Sequence, residues 1–73
     1  MSKSTKDATI IVNGESRALA QPIALSELLK ELEFTTKALA VEVNLELVPR
    51  AEHEAFQIKS GDELEIVTLA GGG

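Results

Sequence analysis

The sequence predicts an α+β fold in which one helix packs across a mixed sheet of four to five strands. An Asn-Gly pair at positions 13–14 separates two alternating segments, which is typical of a β-hairpin. Leucines recur at helical spacing between positions 25 and 32, and alternating apolar residues return at 39–47 and 64–69. One helix laid on one sheet buries the apolar faces of both. The 73 residues are enough for one domain of this kind.

The first element is a β-hairpin that starts near the eighth residue. Alternation puts Ile10 and Val12 on the buried face of its first strand and Ile11 on the opposite face. Asn13-Gly14 suits a type I′ turn, because both central residues of that turn need a positive φ. We therefore expect the chain to return as a second strand over residues 15–19.

A helix follows the hairpin. Pro22 interrupts the strand pattern, because proline has no N–H to contribute to a ladder. Ser26 can cap the start of the helix, and Glu27 favours the positive end of its dipole. We expect the helix to fade near Phe34, which poor helix formers follow. Four leucines share the predicted buried face: Leu25, Leu28, Leu29 and Leu32.

The remaining strands lie in the second half of the chain. Apolar and polar residues alternate over positions 39–47, a length that is unusual for one strand in so small a domain. We therefore expect a bend near 44–45 and a short strand over 47–48. Residues 51–58 have no clean period and predict a loop with one short helical turn, and 60–62 predict a tight turn. The predicted core consists of Ile10, Val12, Leu28, Leu29, Leu32, Val41, Val43, Leu64 and Ile66.

Composition excludes several function classes. The formal net charge is −5, the basic residues are scattered, and aromatic residues are scarce, so we expect no nucleic-acid binding. Cysteine is absent and His53 is the one histidine, so the chain offers neither a nucleophile–base pair nor a histidine-rich metal cluster. We expect His53 to be a solvated loop residue, and we expect neither a bound cofactor nor a metal.

Targeting and membrane segments are not predicted either. Residues 1–7 are polar, lack the apolar centre of a signal peptide and are expected to be disordered. No stretch approaches transmembrane length, and the lack of cysteine suits a reducing compartment. The sequence therefore predicts a soluble cytoplasmic protein with a single domain over residues 8–69.

The end of the sequence is rich in glycine. Residues 70–73 read Ala-Gly-Gly-Gly and directly follow the predicted last strand. Glycine has great backbone freedom and no side chain to bury, so we expect a flexible arm that can thread a narrow channel in a partner. A frayed terminus without a function is the alternative interpretation of these residues.

Six short motifs resemble the sulfur carrier proteins of the ubiquitin-like β-grasp fold, and most of all the small carriers of thiamine (thiazole) biosynthesis. They occur in the order of that family along nearly the whole chain: VNGE at 12–15, LSELL at 25–29, AVEVN at 40–44, VPR at 48–50, GDE at 61–63 and GG at 72–73. Two positions depart from the family pattern. Leu45 stands where the family usually has a turn glycine, and His53 stands where it often has tryptophan.

The resemblance implies a protein cosubstrate rather than an enzyme. A peptide carboxylate is ionised at neutral pH and is a poor electrophile, so it must be activated before it can take up sulfur. The resemblance implies that a ubiquitin-activating-type enzyme uses ATP to adenylate the Gly73 carboxylate. A persulfide from a cysteine desulfurase-type donor would then displace AMP and give a thiocarboxylate. A thiazole synthase would take the sulfur from that thiocarboxylate. Gly71 and Gly72 would thread the tail into these partners.

The strand before the tail predicts a docking surface. Alternation that turns Leu64 and Ile66 toward the helix turns the odd-numbered residues of the same strand outward. In the β-grasp fold the first strand lies beside the last, so its outward residues join the same face. We expect a small apolar patch with an acidic rim at the root of the tail, an arrangement common in docking sites. The expected partner-binding residues are Ile11, Glu63, Glu65, Val67 and Leu69.

Three other functions fit the same residues. The small subunit that delivers sulfur to molybdopterin shares the fold and the glycine end, although the VPR motif and the short length favour the thiamine carriers. A ubiquitin-like modifier joined to lysines would have a similar tail. A β-grasp interaction domain with incidental glycines is the third alternative.

Overall fold

Seven strands and one α-helix make up the part of the chain that the structure describes. The structure, a computed structural model, describes residues 8–36 and 38–69, so the expectations for residues 1–7 and 70–73 lie outside the described residues. The elements in chain order are β1 (Thr9–Val12), β2 (Glu15–Ala18), β3 (Ile23–Ala24), α1 (Leu25–Glu31), β4 (Leu39–Val43), β5 (Glu46–Leu47), a single 3-10 turn (Arg50–Glu52), β6 (Gln57–Ile58) and β7 (Glu63–Thr68).

Five strands form one mixed sheet in the order β2-β1-β7-β4-β5. β1 and β7 run parallel, whereas the β1–β2, β4–β5 and β4–β7 pairs are antiparallel. The first and last strands of the described chain are therefore neighbours at the centre of the sheet, and α1 packs on one of its faces. These observations confirm the predicted α+β fold with one helix on a mixed sheet.

Both sharp turns of the large sheet are two-residue turns with positive φ. Asn13 has a φ of 51° and Gly14 a φ of 86°, which confirms the predicted hairpin turn. Asn44 and Leu45, with φ values of 53° and 71°, form a second such turn between β4 and β5. The predicted bend in the long alternating segment is thus a complete turn between two strands.

The core lies between α1 and the inner face of the sheet. Every predicted core residue is buried except Leu32, which is partly buried and packs against the others. Removal of these side chains from water supplies on the order of 1.5–3 kcal/mol for each large residue. Leu25, on the predicted buried face of the helix, is also buried, and the buried apolar residues that were not predicted are Leu19, Val48 and Ile58.

A second, two-stranded sheet was not predicted. β3 and β6 pair antiparallel, with Ile23 opposite Ile58 and Ala24 opposite Gln57. The helical turn expected within residues 51–58 is present, but the same segment also contains β6. Strands of two residues are too short to produce an alternating pattern, so the sequence contains no periodic signal for this pairing.

The start of the helix differs from the prediction. Ser26 was expected to cap it, but α1 begins at Leu25 and its N-terminus has no side-chain cap. Instead, the Leu25 N–H donates to the carbonyl of Phe56 at 2.8 Å, and the Ser26 N–H donates to the carbonyl of His53 at 2.9 Å. Backbone carbonyls of a distant loop thus satisfy donors that a helix start leaves open.

The helix ends three residues before Phe34, in a Schellman motif. The Phe34 N–H donates to the Leu29 carbonyl at 2.9 Å, and the Glu33 N–H donates to the Lys30 carbonyl at 3.0 Å. Glu33 has a φ of 67°, the left-handed conformation that this motif requires. The motif turns Phe34 back onto the core, where it is partly buried.

The prediction that His53 is solvated is wrong. Its side chain is only 7% exposed, and its Nε2 lies 3.1 Å from the carbonyl oxygen of Val48. The backbone carbonyl of the same residue accepts the hydrogen bond from Ser26 at the helix start. His53 is therefore a structural residue that joins the 3-10 turn to α1.

Candidate functional site

The central strand β7 is the element that leads to the glycine-rich residues. Gly71, Gly72 and Gly73 lie outside the described residues, so the site is described up to Leu69. β7 alternates as predicted: Leu64 and Ile66 are buried, whereas its odd-numbered residues are exposed. The outward orientation of Glu63, Glu65 and Val67 on this strand is confirmed.

Asn13 fixes one side of β7. Its Nδ2 donates to the Ile66 carbonyl at 3.1 Å, and the Ile66 N–H donates to its Oδ1 at 2.7 Å. The side-chain amide therefore makes the two hydrogen bonds that a peptide group of a paired strand would make. This extends the pairing between β1 and β7 beyond the last residue of β1.

Asn44 fixes the other side of β7. The Glu63 N–H donates to Asn44 Oδ1 at 3.0 Å, and the Asn44 N–H donates to the Glu63 carbonyl at 2.7 Å. Asn44 Nδ2 also donates to the buried Asp62 at 3.0 Å, and a second Asp62 oxygen accepts the Lys59 N–H at 2.9 Å. Asp62 thus has the turn role that the sequence indicated, and the start of β7 is held on both sides.

Three glutamates share the outer face of the sheet, the face opposite α1. Glu42 on β4 lies directly opposite Glu65 on β7, and Glu63 is the partner of Ile11 across the parallel pair. The ion pairs in the described part of the chain are Lys30–Glu27 and Lys59–Asp62, so none of these three carboxylates is in one. Like charges directly opposite each other destabilise a sheet.

A shallow groove crosses the start of β7 on this side, between the two turns of the large sheet. Its walls combine apolar and acidic residues. The lining residues are Ile11, Gly14, Glu42, Leu45, Glu63, Leu64 and Glu65. We refer to this feature as the acidic groove. It contains three of the five partner-binding residues that the sequence predicted.

The other two predicted residues lie farther along the chain, Val67 near the end of β7 and Leu69 just after it. Val67 and Leu69 are each 54% exposed, and Val67 pairs with Ala40 rather than with a residue of β1. Ile11 pairs with Glu63, four residues earlier on β7, which corresponds to roughly 13 Å along the strand. Ile11 is therefore not at the root of the tail, and the single apolar patch expected there is divided in two.

The sequence prediction missed Leu45 as a site residue. Leu45 is 91% exposed at the tip of the β4–β5 turn and forms one wall of the acidic groove. Its position after an asparagine between two alternating segments was a usable signal, because both central residues of such a two-residue turn need a positive φ. Leu47 on the edge strand β5 is also exposed but does not line the groove.

Residues 8–36 and 38–69 contain neither a metal-binding cluster nor a membrane-spanning helix. In this part of the chain no group of three or more histidine, aspartate or glutamate side chains is arranged to hold a metal ion. The one α-helix described there is too short to cross a membrane.

Most of this chain is similar to parts or the whole of several known proteins. A protein of Paramagnetospirillum magneticum named thiazole synthase is 39% identical over 64 residues, which is 88% of this chain. The matched stretch is only 20% of that protein, so the chain spans about a fifth of its length. A protein of Porphyra purpurea, named uncharacterized protein ycf40, is 35% identical over 93% of this chain and 96% of its own length.

Comparison with solved structures agrees with the fold. The crystal structure of the thiamine biosynthesis protein ThiS from Geobacter metallireducens superposes with a TM-score of 0.78 and 31% identity. The superposition covers 89% of this chain and 99% of the chain in that structure. The family model described as the ThiS family matches residues 10–73, a range that includes all of β1 but Thr9, the whole of β7 and the terminal glycines. The chain therefore belongs to the ThiS family, whose members are small sulfur carriers with the ubiquitin-like β-grasp fold.

Proposed function

We propose that this protein carries sulfur for thiazole formation in thiamine biosynthesis, with the carboxylate of Gly73 as the site of attachment. The observation that supports this most directly is the family match, which continues through β7 to Gly73. The thiazole synthase relative supports the same pathway, because a stretch similar to this chain forms part of that protein. The partners are a ubiquitin-activating-type adenylating enzyme, a cysteine desulfurase-type sulfur donor and a thiazole synthase.

The proposed chemistry takes place on the terminal carboxylate and is catalysed by the partners. Attack of the Gly73 carboxylate on the α-phosphate of ATP releases pyrophosphate and leaves an acyl-adenylate. A persulfide sulfur then attacks the carbonyl carbon, the bond to the phosphate oxygen breaks and AMP leaves. A thiolate then attacks the donor-side sulfur of the resulting acyl disulfide, the S–S bond breaks, and the products are the thiocarboxylate and a disulfide between that thiol and the donor. Glycine suits these steps, because its unsubstituted α-carbon leaves the carbonyl open to attack.

The outer face of the sheet positions the carrier on the adenylating enzyme. Val67 and Leu69 are exposed next to the glycine-rich residues, and burial of such side chains in a contact is favourable. The carboxylates of Glu63 and Glu65, which form no ion pair with the described residues, give this side a negative charge, which speeds encounter with a basic surface. The hydrogen bonds that Asn13 and Asn44 form with β7 hold that strand in place while a partner acts on the residues after it.

Intact mass spectrometry tests the proposal. The protein is incubated with ATP, a sulfur donor and the adenylating enzyme, and its mass should rise by the difference between sulfur and oxygen. A variant truncated after Gly71 and a reaction without ATP are the controls, and both should keep their mass. An unchanged mass for the full chain would contradict the carrier function and favour an interaction domain. A ladder of conjugates would indicate a protein modifier instead.

Transfer of the bound sulfur to an acceptor enzyme distinguishes the thiamine pathway from the molybdopterin alternative. The purified thiocarboxylate form is mixed with the thiazole synthase and its other substrates, or with the large subunit of a molybdopterin synthase and its pterin substrate. We expect the added mass to disappear in the first mixture, with formation of the thiazole. Loss of the added mass only in the second mixture would assign the carrier to the other pathway.

A further inference from the structure

Leu45 occupies an unfavourable conformation that brings it no burial. Its φ of 71° places a residue with a Cβ in the left-handed region, which is costly for any residue but glycine and, to a lesser degree, asparagine. Its side chain is 91% exposed, so packing within the chain does not offset this cost. Residues that break a local rule without a compensating gain are often functional.

The carboxylates of the same groove also oppose stability. Glu42 and Glu65 are direct cross-strand neighbours, and Glu63 lies next along β7 on the same face. No ion pair neutralises any of them within residues 8–36 and 38–69. A strained exposed leucine and an unneutralised acidic cluster therefore meet in one groove, although they come from different strands.

We propose that the acidic groove binds a lysine or arginine side chain of the thiazole synthase. This inference rests on the proposed function above. Ile11 and Leu45 provide apolar walls for the aliphatic stem of such a side chain, and long basic residues commonly bury their stems in this way. Glu42, Glu63 and Glu65 then surround its charged head group, with which carboxylates form strong hydrogen bonds.

The thiazole synthase is the partner that the observations favour. In the Paramagnetospirillum relative, a stretch similar to this chain is part of a protein named thiazole synthase, so the two units share one polypeptide there. The groove also lies at the start of β7, whereas Val67 lies near the end of β7 and Leu69 follows that strand. A contact in the groove thus leaves Val67 and Leu69, the apolar residues proposed to contact the adenylating enzyme, uncovered.

Substitution of Leu45 tests the proposal with two readouts. Leu45→Asn keeps a residue that tolerates the left-handed conformation, and Leu45→Gly removes the strain altogether. We expect Leu45→Gly to melt about 4 °C higher than wild type, because strain is relieved. Both variants should bind the thiazole synthase about ten-fold more weakly or worse, as expected when an anchoring contact is lost.

Glu33→Gly is the matched control. It also replaces a positive-φ residue by glycine and removes strain, but it lies at the end of α1, away from the groove. It should raise the melting temperature and leave the affinity for the synthase unchanged. An equal loss of affinity in Glu33→Gly would show that relief of backbone strain, and not loss of the leucine side chain, weakens binding, and would overturn the proposal.

Removal of a single carboxylate gives an independent test. Glu42→Gln relieves the repulsion from Glu65 and should therefore melt at the same or a slightly higher temperature than wild type. It should bind the synthase several-fold more weakly than wild type does, and its affinity should fall less than that of wild type as salt is added. An unchanged salt dependence would contradict the placement of a basic head group in the groove.

The outcomes distinguish this proposal from the proposed function. If wild type fails to gain sulfur from the adenylating enzyme and the donor, the proposed function itself fails. If wild type is loaded and binds the synthase, but folded Leu45→Asn and Leu45→Gly bind it equally well, the groove proposal alone is wrong. If the same variants bind the synthase normally but are poorly adenylated, the groove serves the other enzyme and the proposal is also overturned.

Discussion

Asn13 and Asn44 occupy equivalent positions in the two turns of the large sheet. Both follow a buried valine, both have a positive φ, and both are two residues before a glutamate that resumes the strand. The Asn side chain tolerates this conformation better than most and presents both a donor and an acceptor. Each asparagine therefore makes a turn and also attaches that turn to β7.

Replacement of Asn13 should destabilise the protein through β7. Asn13→Ala removes two hydrogen bonds to the Ile66 backbone and places alanine at a φ of 51°, so we expect a loss of about 2–4 kcal/mol in the free energy of unfolding. Asn13→Gly keeps the turn conformation and should lose about 1–3 kcal/mol. Chemical denaturation measures both. Wild-type stability in Asn13→Gly would mean that the side-chain bonds contribute nothing.

The ends of α1 show how elements of this small domain depend on one another. The helix has seven residues, too short to be stable in isolation, and its first N–H groups are bound by carbonyls of the loop before β6. Its last turn is closed by a Schellman motif that uses a glutamate in place of the usual glycine. Tertiary hydrogen bonds, and not a side-chain cap, thus define where the helix begins.

Glycine at the end of the helix should stabilise the protein. Glu33→Gly relieves the strain of the left-handed conformation, and both hydrogen bonds of the motif persist because they join backbone groups. We therefore expect a gain of up to about 1 kcal/mol in the free energy of unfolding. Glu33→Ala, which is equally uncharged but keeps the Cβ strain, is the control and should show no such gain. Thermal and urea unfolding provide the measurement, and a loss of stability in Glu33→Gly would contradict this account of the motif.

At the scale of the whole molecule, the two faces of the sheet have different roles. The inner face and α1 form the apolar core, whereas the outer face presents the acidic groove at the start of β7 and exposed apolar residues at its end. A formal net charge of −5 adds a long-range attraction to basic partners. We propose that these two areas contact two different enzymes in turn.

A charge at Val67 should weaken activation without unfolding the protein. Val67→Asp changes an exposed side chain, so the melting temperature should shift little, whereas the apparent affinity of the adenylating enzyme should fall about ten-fold. Ala18→Asp introduces the same charge on the same face of the edge strand β2 and should leave adenylation unchanged. Undiminished adenylation of a folded Val67→Asp would exclude a role for this residue in docking.

The sequence by itself determined the features that depend on neighbours in the chain. Alternation in β7 assigned Leu64 and Ile66 to the core and Glu65 to the outer face, and Asn-Gly assigned the first turn. Leucine spacing identified the buried side of α1. These features were predictable because the side-chain period of a strand or helix is a local property of the backbone.

Only the tertiary structure decided the features that depend on which distant segments meet. It buried His53, paired β3 with β6, and satisfied the start of α1 with backbone carbonyls. It also set the register that places Ile11 beside Glu63, and so divided the expected patch into two areas. Alternation fixes the face on which a residue lies but not its position along the neighbouring strand, because that position depends on hydrogen bonds between segments that are far apart in sequence.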